Sequence, residues 1–219
     1  MNSLLRPVRG ANPLAALLLG LIGYLTPVPA AADGAMPTEL GLAFGRGVDV
    51  NLPDLPGKLA SGDLLWDDSR FGGLYAGRQG RTLGEASALL DRTWFRNVRQ
   101  GVTASLLKHS GLQSNWEAGL AYTLTTPPLR LGAVATRLKV GGGYSYAFSR
   151  PSYEDGPFAE PDRRYRGQFL LLVENHWHLA DNDRWSVVLR VHHRSGVYGL
   201  VAPRNVGSNF LAVGVERKW

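Results

Sequence analysis

Cysteine is missing from all 219 residues of this chain, which excludes a disulfide framework and any thiolate metal site. Long apolar runs are scarce as well. Beyond the first thirty residues no stretch of ~18 consecutive apolar side chains occurs, so no transmembrane helix is expected in the mature chain. Motifs tied to a defined chemistry are also missing: there is no Walker loop, no dinucleotide glycine fingerprint, no His-Glu-x-x-His and no EF-hand loop. Positive charge is in slight excess, 24 Lys and Arg against 18 Asp and Glu, but it is too dispersed for a nucleic-acid surface.

What is present begins with an export signal. Arg6 and Arg9 precede an apolar segment over 13–25, and the small residues of PVPAAADG suit cleavage after Ala30 or Ala32. Removal of 1–32 as a signal peptide takes away two arginines and no acids, lowering the formal charge from +6 to +4. Residues 33–69 read as an N-terminal extension of uncertain structure, a plug or periplasmic segment: 38–50 could make a strand, whereas NLPDLPGK carries two prolines that break regular structure.

Residues 70–219 read as an all-β domain. Strand-like pieces at 71–79, 85–95, 101–109, 115–125, 131–148, 165–179, 185–195 and 208–219 are separated by polar or Pro/Gly turns. Eight is an even count, as a single-chain outer-membrane barrel requires, and the length suits a small one. Short turns near 126–129 and 180–184 alternate with longer loops at 149–164 and 196–207, the asymmetry expected of periplasmic turns and external loops. Trp177, Trp185 and Trp219 fall at one rim, as in an aromatic girdle. Along 185–195 one face carries Trp185, Val187, Leu189, Val191, His193 and Ser195, while the other carries Arg190, His192 and Arg194. Glu174, His176 and His178 alternate likewise, and folding the hairpin about Asn182 sets Glu174 opposite Arg190 inside a polar lumen. The i, i+2 spacing of His176 and His178 is metal-like but lacks a third ligand, so the lumen reading is preferred and no metal or cofactor is assigned. His192, Arg190 and Arg194 read as a solvated lumen or a phosphate-binding rim, and Lys108-His109 as a solvated strand end. The expected fold is an eight-stranded antiparallel transmembrane β-barrel; a periplasmic sandwich or lipocalin-like barrel is the alternative.

The hairpin over 185–219 with His193-Arg194-Ser195, together with the signal and the eight-stranded pattern, resembles the outer-membrane lipid A 3-O-deacylase (acyloxyacyl hydrolase-like) family, whose His-x-Ser motif lies on the lipid-facing outside of the barrel. The resemblance implies Ser195 as nucleophile and His193 as base. In that family an Asn follows the Ser and a catalytic Glu comes about a dozen residues later; here Gly196 follows, and no Asp or Glu lies between Ser195 and Glu216. Read from the residues alone, side chains at i and i+2 of a strand project the same way with Cα atoms roughly 6 to 7 Å apart. Ten strand steps from Trp185 give ~25 Å of height at ~40° tilt, which sets Ser195 at the outer interface. Pairing the last two strands about the loop centre puts 195 opposite 209 and 193 opposite 211. Asn209 is then the candidate for the missing acid, since its carbonyl can accept the imidazole N–H; a carboxylate there would serve better, and a strand-capping role is the plainer reading of Asn209.

Two functions follow: a lipid A deacylase that hydrolyses an ester-linked acyl chain in the bacterial outer membrane, or a non-catalytic structural or lipopolysaccharide-binding barrel. A narrow pore is the weaker third, since eight strands leave an interior filled by side chains. The partners implied are lipid A or lipopolysaccharide and the barrel-assembly machinery, with no cofactor and no nucleic acid. Deleting Trp219, which ends the last strand on its rim aromatic, should reduce the fraction of chains recovered as folded barrel in outer-membrane preparations; unchanged recovery would contradict this.

Overall fold

A strand shows its two faces through alternate residues, and here the alternation is of size as much as of polarity. The computed structural model describes residues 39–154, 165–203 and 206–219; the expected signal peptide lies outside them. Eight long strands run as β1 Glu39–Val48, β2 Trp66–Thr82, β3 Arg99–Gly111, β4 Trp116–Thr125, β5 Val134–Ala147, β6 Gly167–Leu179, β7 Asn182–Ser195 and β8 Gly207–Lys218. Each pairs antiparallel with its sequence neighbours, and β1 pairs with β8, so the sheet closes and leaves no edge. A short strand, Leu129–Leu131, pairs with the start of β5 and lengthens one turn. Among the described residues no helix is long and apolar enough to cross a membrane; this says nothing of the strands.

One of the eight expected strands is absent and another takes its place in the count. β1 lies in the stretch read as an extension, and 85–95 is not a strand. The inward positions Gly41 and Gly45 of β1 are small because the rings of Tyr75 and Phe71 occupy the space where their Cβ atoms would stand, 2.2 and 2.4 Å away at the nearest. The pattern is therefore small-in and large-out, with Leu40, Leu42 and Phe44 exposed, rather than polar-in. In 83–98 the chain turns helical because Thr82 and Glu85 form a reciprocal capping box, and the short helices Leu83–Ala86 and Ala88–Asp91 follow. The loop asymmetry is partial too: this long connection lies at the rim that also holds Trp219, and a short turn, 112–115, lies at the other.

Outward faces are apolar. Trp185, Val187 and Leu189 on β7 and Val213 and Val215 on β8 are each about half exposed, while the residues between them are buried inside the barrel. The interior is filled by two polar networks. In one, Lys139 Nζ stands 2.7 Å from Glu39 and 3.5 Å from both Glu174 and Glu216, and Arg137 lies 2.9 Å from Glu216. Arg190 meets Glu174 at 2.7 Å, the pair expected from folding the hairpin about Asn182, and stacks over the Tyr75 ring at 4.0 Å. In the other, Glu117 accepts from His109 at 2.8 Å and His192 at 3.0 Å, and Arg194 reaches Glu154 at 2.5 Å. His109, His192, Arg190 and Arg194 are thus buried and paired rather than solvated, because each has a carboxylate within reach inside the ring.

Such pairs stabilise mainly against being broken, since removing one partner strands the others in a low-dielectric interior. Glu174 also touches His176 at 2.8 Å. Glu174→Ala should lower unfolding stability by about 3 to 5 kcal/mol, read from the urea midpoint of the folded band on unheated gels. A loss no larger than a surface pair's, below about 1 kcal/mol, would contradict the account of the lumen.

Candidate active site

His193 and Ser195 lie on the outer face of β7, at the rim opposite Trp219, with both side chains half-buried. Their neighbours on that face follow from the register. Ser195 stands between Phe169 of β6 and Gly207 of β8, and His193 between Leu171 and Asn209. The pairing of β7 with β8 differs by two residues from a loop-centred one: 193 is opposite 209, and 195 opposite 207. The loop is shorter because Gly196 N–H already bonds the Val206 carbonyl at 3.2 Å. A slip of two keeps every side chain on its face, so Asn209 remains outside and becomes the direct cross-strand partner of His193.

That partnership is a hydrogen bond of 2.7 Å between His193 Nδ1 and Asn209 Oδ1. The assignment of donor and acceptor follows from a second bond. Asn209 Nδ2 donates to the Val50 carbonyl at 2.7 Å, so the amide nitrogen faces β1 and the amide oxygen faces the imidazole. His193 Nδ1 therefore carries the proton, and Nε2 is left with its lone pair. This is the tautomer a general base needs. Val50, just beyond β1, was unreadable as a site residue, since it contributes only a backbone oxygen. Among the described residues no carboxylate contacts the His193 ring.

The double duty of Asn209 also revises the expectation that an acid would serve better there. A carboxylate at 209 would point one oxygen at the Val50 carbonyl with no proton between them. Gly196, where the resembled family has an Asn, is explained by space. A Cβ at that position would stand 2.3 Å from the Ala202 and Pro203 carbonyl oxygens.

Behind the site, inside the barrel, Arg194 is fully buried. Its guanidinium donates to Glu154 at 2.5 Å, to Ser145 Oγ at 2.7 Å and to the Arg166 carbonyl at 2.8 Å. Glu154, which the sequence offered only as one acid in a loop, also bonds Gln168 and Ser208, and its carbonyl accepts from Gly207 N–H. The neighbouring Tyr153 donates to Asp67, and burial together with that bond pushes its phenol well above the usual range. The loop after β5 is thereby tied to β2 and to the β8 end that carries Asn209. Val197 and Tyr198, next along the chain from Ser195 and Gly196, adopt positive φ of 49° and 55°, a costly backbone for side chains of their size.

The remaining polar candidates do not join this site. His176 is buried between Glu174 and Glu216, and His178 Nδ1 donates to the Leu179 carbonyl at 2.9 Å. Lys108 faces outward over Trp116, while its neighbour His109 points into the lumen toward Glu117. Among the described residues no group of three or more His, Asp or Glu is arranged to hold a metal ion.

No protein-family profile matches this chain, and no curated protein matches it. Among solved structures, the crystal structure of the outer-membrane enzyme PagL is similar, with a TM-score of 0.52 at 11% sequence identity over 83% of this chain and 99% of that one. At that identity the likeness is one of fold: a closed eight-stranded antiparallel barrel.

Proposed function

We propose that the protein is a bacterial outer-membrane hydrolase that removes an ester-linked acyl chain from lipid A, with Ser195 as nucleophile, His193 as base and Asn209 as the residue that orients the base. The observation that carries this reading is the pair of bonds about Asn209, because they leave His193 Nε2 unprotonated on the same face as Ser195. The membrane placement is supported by the apolar exterior, the rim tryptophans and the likeness in fold to an outer-membrane enzyme. A site on that outer face meets acyl chains where they leave their sugar, and a soluble substrate would not reach it.

The reaction follows the usual course of ester hydrolysis through an acyl-enzyme. Ser195 Oγ adds to the ester carbonyl as its proton passes to His193 Nε2. The sugar oxygen leaves with that proton, and water, deprotonated by the same nitrogen, then releases the fatty acid and restores Ser195. An amide partner holds the tautomer but stabilises the imidazolium less than a carboxylate does, so turnover is expected to be slow. That lack of a carboxylate favours the second reading, a non-catalytic barrel that binds lipopolysaccharide or serves the envelope structurally. The same experiment separates the two.

Expressed in a host without a deacylase, the wild type should yield lipid A lighter by one ester-linked acyl chain in mass spectra. Ser195→Ala and His193→Ala should each remove that product, a loss of about 10³-fold or more, with the folded barrel still recovered. Unmodified lipid A in cells holding folded wild-type protein would establish the non-catalytic reading. His192→Ala should lower stability by removing a buried bond to Glu117, yet leave activity per folded molecule within about threefold, since its side chain is on the other face.

Asn209 supplies a separate expectation. Asn209→Ala should reduce the rate about tenfold without changing the apparent affinity for lipid A. Asn209→Asp should be slower than wild type as well, because the new oxygen opposes the Val50 carbonyl. A faster Asn209→Asp enzyme would show that the bond to Val50 is dispensable and that only the His193 contact matters.

A further inference from the structure

The rim opposite the candidate site carries a surface that the hydrolase does not use. Residues 83–98 connect β2 to β3 there and are firmly built: the Thr82 and Glu85 capping box starts the segment, and Leu83 N–H bonds the Val98 carbonyl at 2.8 Å while Gly84 N–H bonds that of Arg96 at 2.9 Å. Yet it presents Leu89 at 84% and Trp94 at 82% exposure, with Phe95 stacked on Trp94 at 3.7 Å. Large apolar side chains held out by an ordered segment mark a contact with something other than water.

Charge tells what that contact is. Arg92 and Arg96, which flank the aromatic pair in the chain, are exposed, whereas Arg81 and Arg99 lie near the Glu85 carboxylate and Arg99 lines the mouth of the lumen. The exposed ion pairs among the described residues are Arg70 with Asp68, Arg130 with Asp181 and Lys218 with Asp183, so neither Arg92 nor Arg96 is neutralised in that way. The two acids of the segment are engaged within it: Glu85 closes the capping box, and the Asp91 carboxylate lies against Gly84. The same rim holds Arg217 between the rings of Trp185 and Trp219, at 5.6 and 5.2 Å. Tryptophan sits at the boundary between acyl chains and headgroups, and arginine is the side chain that grips phosphate oxygens.

We propose that the 83–98 segment binds anionic phospholipid at the leaflet opposite the candidate site, with Leu89 and Trp94 at the acyl boundary and Arg92 and Arg96 on headgroup phosphates. This rests on the reading of the barrel as membrane-spanning, and it is independent of whether Ser195 is a nucleophile. It gives the barrel a fixed depth and orientation, because the apolar anchor and the basic headgroup contacts lie at one rim only.

The test uses the protein refolded into vesicles of phosphatidylcholine mixed with phosphatidylglycerol, with brominated chains on one lipid at a time. The Trp94 signal is the difference between the wild type and Trp94→Phe, and the other tryptophans report insertion. Trp94 should be quenched more by brominated phosphatidylglycerol than by brominated phosphatidylcholine. That preference should fall about fivefold for each arginine removed in Arg92→Gln and Arg92→Gln/Arg96→Gln. Equal quenching by the two lipids overturns the proposal. So does an unquenched Trp94 beside quenched rim tryptophans, which would turn the segment toward the aqueous space and a protein partner. Quenching of no tryptophan at all would overturn the membrane reading along with it.

Discussion

Arg190 and Arg194 end on carboxylates deep inside the barrel, at Glu174 and Glu154, and those two contacts decide which way every side chain of β7 points. A strand has only two faces, so a slip of one residue would turn both guanidinium groups onto the apolar exterior. It would also leave their carboxylates buried and unpaired. Under that constraint His193 and Ser195 have no choice but the outer face of the barrel. The same reasoning carries to β8, whose inward Ser208 and Glu216 join the two interior networks while Asn209 is left outside.

The outer site is built with little polar material, as its surroundings demand. The His193 imidazole on the apolar outer face has a fixed partner in the amide of Asn209, which spends its own N–H on the Val50 carbonyl. No charge is buried in that arrangement, so the desolvation cost that an outward carboxylate would carry is avoided. The consequence for chemistry is a base of the right tautomer with weak support for its protonated form.

How far the chain could be read ahead of its structure depends on where polarity alternates. Glu174, His176 and His178 on β6 and Arg190, His192 and Arg194 on β7 stand at alternate positions, and from them the faces, the Glu174 to Arg190 pair and the outward His193 and Ser195 all follow from the sequence. β1 alternates glycine and alanine with leucine and phenylalanine, so a strand at 38–50 was readable, but its place in the barrel lies in Tyr75 and Phe71 on the next strand and was not. Residues 85–95 have strand-like hydrophobicity, but the Thr82 to Glu85 capping box overrides it, and that four-residue spacing was there to be seen. The register of the last hairpin depended on a loop closure at Gly196 and Val206 that leaves no sequence signal, although parity alone kept Asn209 on the right face. Val50 contributes through its backbone, and Glu154 acts through a loop fold, so neither was visible beforehand.

The claim on which the account rests is that Ser195 is an activated nucleophile facing lipid. A fluorophosphonate carrying an alkyl chain, partitioned into vesicles that hold the inserted protein, reports on this directly when the labelled peptide is mapped by mass spectrometry. The account predicts an adduct on Ser195 that forms with the wild type, is lost in His193→Ala, and is not seen with a water-soluble fluorophosphonate of the same reactivity. Folded, inserted protein with no adduct on Ser195, or with one that forms equally well without His193, would contradict it.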